Sequence, residues 1–214
     1  MEAQEAITKI QEAKEHAKKR NFTQSVDFVI NLKNLDFKKP EEQVDFYVQV
    51  PNSLGKKVLV CALAGPELID EAKNVCDHAI HQKDFTELSK EEVKELAKTY
   101  DYFIAQGNIM ADVAKTFGRV LGPRGKMPDP KAGCVVAPKT NLQPIHDRLQ
   151  RLVRVQAKKD PVIHLLLGRE DQDEQELADN LATIYNQLRF NLPLEENNIK
   201  DALVKLTMGK PVVL

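Results

Sequence analysis

Residues 118–133, GRVLGPRGKMPDPKAG, concentrate groups that suit a polyanion. Arg119, Arg124, Lys126 and Lys131 supply four cations against the single carboxylate of Asp129. Gly122, Gly125 and Gly133 leave room for backbone N–H groups to approach a phosphate. Pro123, Pro128 and Pro130 stiffen the segment, so little entropy is lost when it binds. The composition predicts neither helix nor strand here. Three uses are open: a nucleotide cradle, a nucleic-acid contact and a solvated cationic loop. The nucleotide cradle fails on spacing. The GxxxxGK[ST] pattern needs a glycine five residues before Gly125 and a hydroxyl after Lys126, but Val120 and Met127 stand there. GxGxxG fails as well, and the segment follows a helical stretch instead of leading from a strand into one. The other two uses stay open on spacing alone.

Elsewhere the chemistry is sparse. Five histidines are scattered along the chain. Cys76, His78 and His81 form a C-x-H-x-x-H cluster without a recognised ligand frame, and a polar helix end explains it equally. Cys61 and Cys134 lie within apolar segments and are expected in the core. No GxSxG or HExxH occurs. The three cysteines form no CxxC pair, which predicts reduced thiols and a cytoplasmic setting. LTMG (206–209) sits at a strand end, where Thr207, Met208 and Gly209 make either a plain turn or a hydroxyl and thioether for a sugar-phosphate surface.

Net charge is −1, which taken alone argues against a nucleic-acid partner. The total hides a pattern. Residues 115–159 carry eleven Lys and Arg against two Asp, a net +9, inside an otherwise acidic chain. Screening limits charges to a reach of roughly 8–10 Å, so the local excess governs what binds. No apolar run approaches the roughly 20 residues of a membrane helix. The charged first twenty residues predict no signal peptide.

The elements that must position these residues follow from periodicity. Helices are expected at 2–19, 66–79, 89–98, 108–118, 142–155 and 173–188, with a Ser89/Glu92 capping box and a glycine stop after the fourth. Strands are expected at 25–32, 44–50, 57–65, 100–106, 134–138, 161–168 and twice within 200–214. Antiparallel grammar at both ends encloses a β-α-β-α middle. That predicts an α+β domain at 1–63 and 157–214, split by an inserted α/β domain at 64–156.

RNFTQSVD (20–27), LGPRGKMPDPKAG (121–133) and LTMG (206–209) together resemble one family, the large-subunit ribosomal protein numbered one, L-one, of the mobile stalk beside the tRNA exit site. The resemblance spans nearly the whole chain and is closest to the archaeal form, although PDPKAG looks more bacterial. It implies an α+β two-domain fold: a discontinuous small antiparallel sheet with two packed helices, interrupted by a Rossmann-like α/β domain without the phosphate fingerprint. It implies a ribosome-associated, cytoplasmic protein, monomeric when free, without catalysis, cofactor or membrane. The implied partners are large-subunit rRNA, the messenger of its own operon, which it represses, and exit-site tRNA. A nucleotide-binding α/β enzyme is the alternative. The implied RNA-binding residues are Phe22, Ser25, Asp27, His164, Gly168, Thr207, Met208 and Gly209. Gly122, Arg124, Gly125, Lys126 and Lys131 form a secondary contact or a family loop. Ser25 stands where bacterial members have Thr, Asp27 where the family has Glu, Asn21 where bacterial members have Lys, and Cys134 where they have Thr. A carboxylate repels phosphate, so Asp27 suits a sugar hydroxyl or a base amino group.

Overall fold

Apolar residues three and four apart build the first helix of the computed structural model, which describes residues 3–214. This helix, α1 (Ala3–Glu15), buries Ala6, Ile10 and Ala13 along one stripe. Its expected start at Glu2 lies outside the described residues. Strand β1 (Ser25–Leu32) follows the expected alternation, burying Val26, Phe28, Ile30 and Leu32. Strand β2 (Val44–Gln49) follows, and then β3 (Val60–Ala64), buried at every position as its unbroken apolar run requires. Helix α2 (Ile69–Val75), strand β4 (His78–His81) and helix α3 (Lys90–Thr99) come next. At α3 both halves of the capping box form, between Ser89 and Glu92. Strand β5 (Tyr102–Gln106), helix α4 (Met110–Leu121), the short strand β6 (Val135–Val136) and helix α5 (Gln143–Leu149) lead to strands β7 (Leu152–Ala157) and β8 (Val162–Arg169). Helix α6 (Glu174–Asn191) and strands β9 (Ile199–Leu206) and β10 (Val212–Val213) complete a mixed α and β chain.

Three local expectations are corrected. The helix expected over 66–79 stops at Val75, and β4 follows. Asp77 ends the helix by accepting from the Val60 amide at 2.9 Å and pairing with Lys57, which draws the next residues alongside β3. The helix expected over 142–155 ends at Leu149, and Leu152–Ala157 extends as β7. Val153, Val155 and Ala157 are buried while Arg154 is half-exposed and Gln156 exposed, the period of a strand. The third concerns Gly118, which does not stop α4. A side chain there would meet nothing within 4 Å, and the helix runs on to Leu121 with Gly122 as its cap.

By packing, the chain divides into two compact units: residues up to Lys56 with Arg151–Leu214, and Lys57–Gln150. The boundaries read from sequence, after residues 63 and 156, fall inside β3 and β7; pairing of β7 with β2 draws residues 152–157 into the first unit. That unit holds a four-stranded antiparallel sheet in the order β10-β9-β1-β8 and the β2-β7 ribbon. Helices α1 and α6 supply one wall of its core, with Ile10, Leu177, Leu181 and Ile184 against Phe28, Ile30 and Val204. On the ribbon, burial raises the Asp45 carboxyl, but hydrogen bonds from Arg154 and Lys158 outweigh it and hold Asp45 below its ordinary range.

The second unit holds a parallel sheet in the order β4-β3-β5-β6. Phe85 and Phe117 meet edge to face at 5.2 Å in its core. All three cysteines are buried. Burial pushes the Cys76 thiol up to about 11, helped by Asp77 and Glu71. Burial likewise pushes Cys134 up to about 12, and Cys61 further still. None is a thiolate near neutral pH. At pH 8 the native protein should therefore leave a chromogenic disulfide reagent unreacted, and all three thiols should titrate only in denaturant. A thiol reacting at a free-cysteine rate in the native protein would contradict this packing.

Candidate nucleic-acid interface

The end of the four-stranded sheet is built around a buried amide. Gln24 is 1% exposed. Its backbone N–H donates to one Glu170 carboxylate oxygen at 2.8 Å and its side-chain Nε2 to the other at 3.2 Å. Its Oε1 accepts from the Met208 backbone N–H at 3.1 Å. One residue on, the Ser25 N–H donates to Thr207 Oγ1 at 3.0 Å, and the Thr207 N–H returns a bond to the Ser25 carbonyl at 3.0 Å. The Gly209 N–H closes the turn on Leu206 at 2.9 Å. Residues 22–27 and 206–209 thus meet, although Ser25 and Thr207 are 182 positions apart. The turn fixes its backbone internally and leaves Met208 58% exposed, with Phe22 at 53% on the approach to β1. Of the five exposed large apolar side chains among the described residues, these two and Val213 belong to this sheet or its turns.

Register sets what lies on the sheet face away from α1 and α6. Asp27 is flanked by Leu166 on β8 and Lys205 on β9. In the next row Val29 lies between His164 and Leu203, and Val213 extends the row on β10. Burial pushes the Asp27 carboxyl above its ordinary value, and the positive fields of Lys205 and His164 draw it partly back. An acid, a cation, an exposed imidazole and aliphatic surface thus share one face. It can hydrogen-bond sugar hydroxyls and base edges and cover apolar parts of bases.

Gly168 has a different role. It is buried, and a side chain there would come within 2.4 Å of Gln172 Oε1 and 2.5 Å of Leu177. Gln172 Oε1 accepts from the Arg169 N–H, and Gln172 Nε2 donates to the Ser53 carbonyl. Gly168 lets α6 and the chain after β8 approach closely, and it presents no surface.

The 118–133 segment lies in the other compact unit and is a folded structure. Its first residues are the last turn of α4, contrary to the reading that it holds no helix. Gly122, Gly125 and Lys126 donate backbone bonds that continue the turn to Gly118, Gly122 and Leu121. The Lys126 ammonium donates to the Tyr100 carbonyl at 2.7 Å, so it is tied inward. Pro128 and Ala132 are buried. Gly133 turns left-handed at φ 74°, where a side chain would crowd the Arg148 guanidinium. Arg124 and Lys131 remain exposed. Cys76, His78 and His81 also have structural surroundings: the thiol is buried, His78 stacks on Tyr100 at 5.7 Å, and His81 Nδ1 accepts from the Lys83 N–H.

Sequence reasoning missed Gln24 and Glu170, which hold the turn, and Lys205, which faces Asp27. Only the even spacing of Lys205 from the strand end carried a signal; a buried glutamine carries none.

Residues 13–210 match the model of the ribosomal protein L1p/L10e family. A protein of Methanobrevibacter smithii named "Large ribosomal subunit protein uL1" is 40% identical over 213 residues, covering 98% of each chain. Proteins of the same name from Thermococcus kodakarensis and Nanoarchaeum equitans are 38% and 36% identical, covering 98% and 97% of this chain and 96% and 98% of their own.

Two stability measurements separate the roles of Gly168 and Asp27. Gly168→Ala should lower unfolding free energy by about 1–3 kcal/mol in urea titration, the cost of overpacking. Asp27→Asn should leave thermal stability at pH 7 unchanged or raised. The raised carboxyl costs the fold stability only while ionised, so the difference should vanish as pH falls through the shifted value and below 3.8. A clear loss of stability in Asp27→Asn at pH 7 would contradict this.

Proposed function

Since the chain belongs to the ribosomal protein L1p/L10e family, we propose that it is a structural, non-catalytic constituent of the large ribosomal subunit that binds rRNA through its four-stranded sheet. The unit of residues up to 56 and 151–214 is the discontinuous rRNA-binding domain, and residues 57–150 are an inserted Rossmann-like domain. The observation that carries this reading is the paired hydrogen bond between Ser25 and Thr207. It joins the two segments whose residue types suit RNA and leaves Phe22 and Met208 exposed beside them.

The exposed residues and those of the turn divide the work on this reading. Phe22 stacks on or packs against an unpaired base or a sugar edge. Met208 adapts its flexible thioether to a shallow groove. Asp27 accepts from a 2′-hydroxyl or a base amino group, and His164 donates in the neighbouring row. Thr207 and Gln24 position the turn, because their polar atoms are engaged with Ser25 and Met208. Gly209 lets the turn pass close to Leu206 and Ala17. Arg124 and Lys131, exposed on the inserted unit, add backbone attraction, which weakens with salt.

Two further activities belong to the same reading. The rRNA surface also binds a mimic of that RNA in the messenger of its own operon and represses its translation. The inserted domain reaches exit-site tRNA and assists its release. The setting is the cytoplasmic ribosome; among the described residues no helix is long and apolar enough to cross a membrane.

Met208→Ala and Phe22→Ala should each weaken binding to a large-subunit rRNA stalk fragment about tenfold, or about 1.4 kcal/mol, with the circular dichroism unchanged. Filter binding at fixed salt measures this. Wild-type affinity in the double variant would overturn the proposed surface.

A further inference from the structure

The groove between α3 and α4 has a pattern that the sheet surface does not explain. It encloses about 610 Å³. Apart from Thr116, its uncharged lining is an aliphatic floor, in which Val93 is buried, Leu88 and Val120 are half-buried and Ala114 is exposed. Lys90 and Lys94 stand on the α3 rim and Lys115 and Arg119 on the α4 rim. Each pair is four residues apart, so the cations repeat at about 6 Å along each helix. No carboxylate lines the groove. Among the described residues, Lys115 alone of the four has an ion pair, with Asp112 at 3.7 Å; the Lys115 side chain is largely exposed, and Asp112 also accepts from Gln82 Nε2 at 2.8 Å.

We propose that this groove docks an acidic amphipathic helix of a partner protein. The argument is one of complementarity. An acidic amphipathic helix carries an apolar stripe flanked by carboxylates, which matches an aliphatic floor between two cationic rims. Carboxylates at helical spacing meet Lys90 and Lys94 on one side and Lys115 and Arg119 on the other, while the stripe covers Val93 and Ala114. A nucleic-acid strand fits less well. Its phosphates would use the cations, but its bases bind by stacking on aromatic rings, and the floor has none. The chain's own acidic amphipathic helix, α6, has its apolar stripe buried in its own core, so the partner is a different protein. The surface lies in the 57–150 unit, apart from Ser25 and Thr207, so its occupancy does not depend on the rRNA reading.

The test uses the full-length protein, labelled with nitrogen-15 for amide shift mapping. Three probes are titrated: a synthetic peptide of about five helical turns with Leu at i, i+3, i+4 and i+7 and Glu elsewhere, a scrambled peptide of the same composition, and an oligouridine. The amphipathic peptide should shift the amides of Val93, Ala114 and their neighbours and bind more weakly as salt rises. The scrambled peptide should bind at least tenfold more weakly. Lys94→Glu with Arg119→Glu should abolish binding, and Lys94→Gln with Arg119→Gln should reduce it at least threefold, both with native circular dichroism. Equal binding of the scrambled peptide would overturn the proposal, because charge alone would then suffice. So would oligouridine shifting the same amides more strongly, or no shift from the amphipathic peptide.

Discussion

The pairing of β1 on both edges is the constraint on which the rest depends. Its partners, β8 and β9, lie more than a hundred residues downstream in sequence. Side chains alternate across a strand, so a slip of one residue would turn Phe28 and Ile30 out of the core and Asp27 into it. Correct register therefore sets the core and the opposite face in one step. It also makes the sheet strictly non-local. The loop-closure entropy for residues 25–32 must be met before any of their pairings form, and the inserted unit lies within that loop. Folding of that compact unit ahead of the sheet would shorten the effective separation of the two sheet halves.

Register needs a lock at the end where the 206–209 turn sits, and Gln24 supplies it. Its backbone and side chain engage both oxygens of Glu170 and the Met208 amide. Gln24 is itself buried, so water cannot readily replace a partner it loses. Leaving a partner unsatisfied costs about 1–3 kcal/mol, far more than a surface hydrogen bond contributes. The same end of the sheet carries features that do nothing for folding: exposed Phe22 and Met208, and a carboxylate at Asp27 whose burial disfavours its charge. A rigid turn holding apolar side chains out in water is the arrangement expected of a preorganised surface.

What could be read from the sequence was what periodicity encodes. Strand 25–32 declared itself because one face is fully buried, and α3 because its cap is local chemistry between Ser89 and Glu92. β4 and β7 did not. β4 is a four-residue edge strand with one buried side chain, too short for a period to emerge. β7 follows α5 after two residues, and Arg151 and Arg154 continue the polar pattern of the helix, so only pairing with β2 reveals the switch. At the candidate interface, Phe22, Asp27 and Met208 were singled out by resemblance alone, whereas Gln24 and the packing role of Gly168 depend on neighbours from distant segments.

The basic segment shows why charge counted along a sequence misleads. Its net +9 spans residues that belong to both compact units. Arg154 and Lys158 are committed to Asp45, Lys126 to the Tyr100 carbonyl and Arg151 to the Pro51 carbonyl. A cation held by an internal carboxylate has its field cancelled at short range, and one capping a carbonyl is fixed in position and partly desolvated. The cations left to act outward are a subset, including Arg119, Arg124 and Lys131. The sheet proposed to bind RNA, by contrast, mixes Lys205 with Asp27 and aliphatic side chains. A surface of that composition suits recognition by shape and hydroxyl contacts, whose affinity need not follow the steep salt dependence of a phosphate-only site. A net charge of −1 is therefore compatible with RNA binding, because the proposed surface does not rely on net charge.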